Sequence, residues 1–449
     1  MRVCSGRRSS SQGVKADSLT LGGRRPERRG TAARARHARP AALLACLLLA
    51  ACAPRLPRGE PPPEPEAVDT ATTRSPAIEP DTTVPAVPDT VPPAPRDTAP
   101  PTAAEPARAT LRVCAGGDIM LGNNLDTLWA VRAAGRLGER VNPFPDPDSL
   151  LAPLRPLLAG AEVVLLNLEG AVGEGPAPAK CRPGSTYCYA FRQPVAAAAA
   201  LARFAAPAVV VANVANNHAM DAGPEGFAAT VAHLSEAGVY ITGADTLPTL
   251  VPAPGGDTIA ILGFSPFIAG PDPRDLDAVR RHVARAAARY RRLVVTMHMG
   301  AEGRAAQRTP DRNEIFLGED RGNSVAFARA AAESGAALVV GHGPHVLRAA
   351  EWRGEALILY SLGNLLTYGP FNMEEPLNRG GIACAAVDSE GRVVEALLRP
   401  TRQGPPGVAS ADPTGRGSFL VDSLSQIDFP ETAGRVRDDG VVVGPAARR

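Results

Sequence analysis

Seven polar residues stand where short apolar runs end: Asp118, Glu169, Asn217, His218, His298, His342 and His345. Four of the seven histidines in the chain are among them. Carboxylate and amide oxygens combined with neutral imidazole nitrogens form the donor set of a divalent metal. A carboxylate can bridge two such ions ~3.5–4 Å apart, and the pair can polarise a substrate oxygen. One strand end supplies one or two ligands, so a binuclear centre needs several strand ends to converge. Plain structural roles stand beside this reading. Asp118 could cap a helix near residue 123, and His218 could cap a helix or bond a carbonyl. Glu302 is either a substrate-facing acid or a solvated loop acid. Asn364 is either a turn residue or a pocket amide.

The elements that would position these groups alternate. Strands are predicted over 111–115, 162–168, 208–212, 293–296 and 338–340, and helices over 224–237, 272–290 and 324–333. Pro224 suits a first helical position, and Phe227, Val231 and Leu234 form one apolar stripe. Hairpin-like strands follow at 381–387 and 392–398. This is the pattern of an α/β domain over residues 110–400, whose strand C-termini are the usual ligand edge. Residues 401–449 are Gly- and Pro-rich, with one possible helix near 415–425, and are expected to be a loosely packed tail.

Residues 1–51 carry eleven Lys or Arg against two acids, which leaves 37 basic and 44 acidic groups in the remainder. A mildly acidic body with a basic leader excludes a nucleic-acid binder, which needs a concentrated basic face. The run 41–51, AALLACLLLAA, is too short to span a bilayer and fits a signal-peptide core. It ends in Leu49-Ala50-Ala51-Cys52, which resembles a bacterial lipobox, so residues 1–51 read as an export leader and Cys52 as a lipidation site. The leader is long, and the true start could lie downstream of Met1. Residues 52–109 hold 16 Pro and no aromatic, the composition of a disordered tether. A membrane-anchored protein of the cell envelope is the expectation. In that compartment Cys181 and Cys188 are expected to form a local disulfide, whereas Cys114 and Cys384, in apolar runs, read as inert core residues.

Six ordered motifs, GGDIMLG (116–122), NLEGAV (167–172), NVANNHAMD (213–221), HMGAE (298–302), VGHGPHV (340–346) and YSLGNLL (360–366), resemble the CapA, or poly-γ-glutamate capsule biosynthesis, family. That family belongs to the calcineurin-like metallophosphatase superfamily. The resemblance implies a four-layer α/β/β/α sandwich and one or two divalent ions (Mn, Fe, Zn or Mg). By position, Asp118 and His345 look like ligands to a first metal and Glu169 like the bridging carboxylate. Asn217, His298 and His342 look like ligands to a second metal, and His218 like the residue that meets the leaving group. Two departures stand out. Met120 replaces the usual His two residues after the first Asp, and Glu169 replaces a bridging Asp; both imply a weak, differently filled or empty first site. Gly343 replaces a further His found in many relatives, with little expected consequence.

The resemblance implies metal-dependent hydrolysis or transfer on an anionic capsule polymer or its phosphorylated precursor, in company with capsule-synthesis machinery. A non-catalytic polymer-binding protein on the same scaffold, favoured by Met120, and an exported phosphodiesterase or nucleotidase are the alternatives. Arg182, Arg304, Arg308, Arg312 and Arg321 lie in loops near the motifs and are the candidates for local positive charge.

Overall fold

Apolar runs without a polar face make strands buried on both sides, and such strands need a layer on each face. The structure, a computed structural model, describes residues 110–444 except 126–127, 177–179, 182–187, 253–255, 269 and 370. The expected leader, the expected lipidation site Cys52 and the expected Pro-rich tether lie outside the described residues.

Strands β1 (Leu111–Met120), β2 (Val163–Leu168), β3 (Val209–Asn213) and β4 (Tyr240–Thr242) belong to one sheet. Strands β5 (Thr249–Pro252), β6 (Thr258–Phe264), β7 (Leu293–His298), β8 (Leu338–His342), β9 (Ala350–Arg353) and β10 (Ala356–Leu359) form another. The chain then returns to the first sheet with β11 (Asn364–Thr367), β12 (Arg379–Val387), β13 (Val393–Gly404) and β14 (Val408–Ala411). The first sheet runs β14-β13-β12-β1-β2-β3-β4, with β11 also paired to β1. The second runs β9-β10-β8-β7-β6-β5. β1 to β4 are parallel, as are β6, β7, β8 and β10, so their C-terminal ends share one rim in each sheet.

Alternation along each strand divides the core into three. Val113, Ala115, Val163, Leu165 and Val211 of the first sheet meet Ile259, Ile261, Val294, Val340 and Leu359 of the second. The intervening residues Cys114, Val164, Leu166 and Val210 face helices α1 (Trp129–Leu137), α2 (Pro147–Leu151), α3 (Ala196–Phe204) and α4 (Gly223–Glu236). Ala260, Leu262, Val295 and Val339 face α5 (Leu276–Ala287) and α6 (Ser324–Glu333). This is the expected four-layer α/β/β/α sandwich. α5 begins later than the sequence pattern suggested because Asp275 caps it, accepting a hydrogen bond from the Ala278 amide at 2.9 Å.

Two expectations are overturned. Cys114 and Cys384 are opposite one another on the antiparallel β1–β12 pair and form a disulfide, so neither is a free core thiol. The expected Cys181–Cys188 bridge is also present. Residues 401–444 are not a loose tail. β13 extends to Gly404, and α7 (Arg416–Asp428) buries Val421 and Leu424 in the core. Ser425 Oγ accepts from the Ala350 amide at 2.8 Å, and Thr432 Oγ1 donates to the buried Glu351 at 2.8 Å. Among the described residues no helix is long and apolar enough to cross a membrane.

Candidate metal centre

The strand ends of both sheets converge on one cluster. Asp118 lies inside β1, which continues to Met120, so no helix is there for it to cap. Gly117 permits this: a Cβ at that position would stand 2.0 Å from the Gly363 carbonyl oxygen, to which the Asp118 amide donates at 2.9 Å. Glu169 follows β2, Asn217 and His218 follow β3, His298 ends β7 and His342 ends β8. One donor atom each from Asp118, Glu169 and His345 lie within 4.8 Å of one another. His345 Nδ1 is 2.9 Å from Asp118 Oδ2, and its Nε2 is 3.6 Å from Glu169 Oε1. From the second sheet, His342 Nδ1 lies 3.6 Å from Asp118 Oδ1 and His298 Nε2 lies 3.8 Å from Glu169 Oε1.

His345 has φ 59°, a left-handed backbone that costs a non-glycine residue about 1–3 kcal/mol. Gly343 has φ 108°, and a Cβ there would stand 3.2 Å from His298 Nε2. The glycine is therefore not a neutral gap. It leaves room beside an imidazole nitrogen that any side chain would crowd.

The electrostatics follow from burial. Desolvation pushes the Glu169 carboxyl well up, against the pull of His345 and reinforced by repulsion from Asp118 and Glu302. Asp118 feels the same desolvation, but its hydrogen bond to His345 and the charges of His345, His342 and His298 outweigh it and hold the carboxyl below its usual range. Desolvation pushes His342 down to about 4 and His298 well down. It opposes protonation of His345 too, but Glu169 and Asp118 win and raise that imidazole.

Several buried polar atoms in this cluster have no partner: Glu169 Oε1, Asn217 Oδ1, His298 Nε2 and both ring nitrogens of His342. Each such atom costs about 1–3 kcal/mol of lost hydration. Oxygens and imidazole nitrogens left open together are the donor set a divalent cation requires, so the residues fit the group.

Three supporting residues escaped the sequence reading. Asn167 Nδ2 donates to Asp118 Oδ1 at 2.8 Å and lies 3.2 Å from His298 Nδ1, and Asn213 Nδ2 donates to Asn167 Oδ1 at 2.9 Å. Their signal was available: each is an amide closing an otherwise apolar strand. Asp221 is fully buried and sits 2.7 Å from His218 Nδ1, and it also accepts from the Phe191 amide and pairs with Lys180. Glu302 is a site acid rather than a solvated one. It accepts from Arg321 Nη1 at 2.6 Å and Asn217 Nδ2 at 3.3 Å, and lies 3.7 Å from His345 Nε2. Asn364 is a pocket amide, its Oδ1 3.1 Å from His345 Nδ1. The arginines do not form a basic pocket. Arg304, Arg308 and Arg321 are paired with Glu374, Asp428 and Glu302, Arg312 is exposed away from the cavity, and Arg182 lies outside the described residues.

The two facing sheets and the buried carboxylate–imidazole cluster at their shared rim define an α/β/β/α sandwich protein with a candidate metal centre. Residues 112–368 match the family described as bacterial capsule synthesis protein PGA_cap, and the chain belongs to that family. It is 31% identical over 172 residues to the PGA biosynthesis protein CapA of Bacillus subtilis (strain 168), a match covering 35% of this chain and 42% of that one. It is 30% identical over 175 residues to the capsule biosynthesis protein CapA of Bacillus anthracis, covering 35% of this chain and 39% of that one. The chain thus spans less than half the length of these curated relatives. Among solved structures it is similar to a novel phosphatase of Mycoplasma pneumoniae (TM-score 0.38, 10% identity, 68% of this chain and 96% of that one). It is also similar to a 5'-nucleotidase precursor from Thermus thermophilus (TM-score 0.35, 13% identity, 72% and 60%). The fold assignment rests on the layers and strand orders described above.

Proposed function

We propose that this chain is a metal-dependent hydrolase or transferase of capsule biosynthesis, acting on an anionic capsule polymer such as poly-γ-glutamate or on its phosphorylated precursor. The observation that carries the reading is the set of unpartnered buried atoms on Glu169, Asn217, His298 and His342. Asp118, Glu169 and His345 would hold one cation, and Glu169, Asn217, His298 and His342 a second. A divalent ion there supplies Lewis-acid polarisation of a phosphoryl or carbonyl oxygen.

The chain's own groups do the rest. Asp221 accepts from His218 Nδ1, which fixes the ring and directs Nε2 to exchange a proton with a leaving group. Arg321 and Asn217 hold Glu302 beside His345. Asp221→Asn is expected to lower kcat ~10–100-fold with KM little changed, because the ring loses its orienting carboxylate while the cations stay bound. Steady-state kinetics with metal analysis checks this, and unchanged kcat would remove His218 from proton transfer.

The direct test measures metal content and hydrolysis of phosphoesters and γ-glutamyl amides by the purified protein. Absence of bound divalent metal together with absence of either activity sinks the reading. A non-catalytic polymer-binding role draws support from Met120, an apolar side chain that lines the cavity two residues after Asp118. Normal capsule formation by cells carrying a His298→Ala, His342→Ala variant would favour that role. Envelope anchoring through Cys52 belongs to the same proposal. Incorporation of labelled fatty acid is expected in the wild type and lost in Cys52→Ser, and equal labelling of both would refute it.

A further inference from the structure

Beside Glu169, His218 and His345 the cluster opens into a cavity of about 290 Å³. Away from those groups, Tyr189, Phe191, Phe316 and Phe371 line it with Met120 and Leu377, beside the polar Asn364, Thr367 and Asn372. Aromatic residues make up only 4% of this chain, so four around one small cavity is a concentration that core packing does not account for. Phe191 is the hub. Its ring centroid is 4.4 Å from that of His218, 5.4 Å from that of Phe371 and 6.2 Å from that of Tyr189. Tyr189 is 54% exposed, an aromatic held at the mouth rather than packed inside.

The charge pattern is as telling. No Lys or Arg is among the described residues lining the cavity. The nearby cations are committed elsewhere: Arg321 to Glu302 and Glu319, Lys180 to Asp221, and Arg192 to Asn124 and the carbonyl oxygens of Gly175 and Pro176. A row of substrate carboxylates would therefore meet Glu169 and Glu302 with no Lys or Arg among the described lining residues to offset them. The volume sits at the lower end of the ~300–1,000 Å³ typical of small-molecule sites. It holds one small group, not several residues of a polymer.

We infer that the cavity takes a substrate with a planar apolar ring next to the bond under attack, a small ring-bearing phosphoester rather than the anionic polymer chain. The reaction rests on the hydrolase reading above; the ring rests on the walls. Aromatic side chains hold such a ring edge-on or offset-stacked, the geometry Phe191 already makes with Phe371 and Tyr189. In the step, the water oxygen bonds to phosphorus and the P–O bond to the ring-bearing alcohol breaks. The departing oxygen takes a proton from His218 Nε2, and the proton lost by water restores the imidazole, so no redox partner is needed.

Benzyl phosphate against ethyl phosphate is the test, since both release an alkoxide and differ in the ring. The expected kcat/KM for benzyl phosphate is at least tenfold the higher, mostly through KM. Phe371→Ala, and separately Tyr189→Ala at the exposed mouth, should each cut that ratio severalfold, with circular dichroism confirming the fold. Calorimetry with the non-hydrolysable benzylphosphonate and ethylphosphonate gives an arm independent of turnover, with the same tenfold preference expected. Equal affinity for the two phosphonates, or equal kcat/KM for the two esters, overturns the inference and leaves the hydrolase reading standing. A binding preference with no turnover of either ester supports the ring site and removes the phosphoester step, while the hydrolase or transferase reading is decided by the metal and amide measurements given above.

Discussion

Asp118→Asn is expected to strip the cluster of its cations and to lower hydrolysis by more than ~100-fold. Losing a group that only supports a metal ligand costs about 10–100-fold, and Asp118 is proposed as a ligand itself. The change is close to isosteric, so the backbone bond of residue 118 to Gly363 and the β1 register should survive. Removing this carboxylate also takes away a charge that raises His345. Metal analysis after dialysis, beside kinetics, checks the result; a variant with wild-type metal content and activity would remove Asp118 from the centre. A pH dependence goes with it. Burial raises Glu169 and its acidic neighbours raise His345, so both groups hold protons at pH values where they would lose them in water. A cation must displace those protons, so apparent affinity rises as pH rises and binding releases protons. Titration calorimetry in buffers of different ionisation enthalpy measures that release.

Replacing both Cys114 and Cys384 by Ala is expected to destabilise the folded domain by about 5 kcal/mol. The bond joins residues 270 apart in sequence, and a loop that long lies at the upper end of the chain-entropy effect. For a domain of this size, that corresponds to a melting temperature lower by ~7 °C. Both positions are buried between the first sheet and its helices, so small apolar replacements leave no unpaired polar atom. Calorimetric melting of the variant beside the wild type, both without reductant so that Cys181–Cys188 stays closed, checks the shift. An unchanged melting temperature would show that the bond constrains nothing in the unfolded chain.

Much of this could be read from residue types. Alternating strands and helices announced an α/β domain, the polar residue closing each run marked the rim, and the motif resemblance implied the four layers. What escaped was contact between distant segments. Cys114 and Cys384 looked inert because nothing local shows that β1 pairs with β12. Residues 401–444 looked loose because Gly and Pro dominate them, yet Val421 and Leu424 have a core to fill. Asp221 was passed over because its partner, His218, is only three residues away, and that proximity resembles a helix turn rather than a dyad. Gly343 was read as a missing ligand, when its space is what His298 requires.

The cluster draws Asp118 and Glu169 from one sheet and His298 and His342 from the other. Elsewhere the two sheets meet chiefly through Val, Leu, Ile and Ala, contacts without direction that tolerate a small slide. A cation held by groups from both sheets would act as a rivet through that slip plane. Loading and folding then become one equilibrium: at a free cation concentration a hundredfold above its dissociation constant, the native state gains about 2.7 kcal/mol. Chelation would loosen the seam between the sheets before it touched either helical layer.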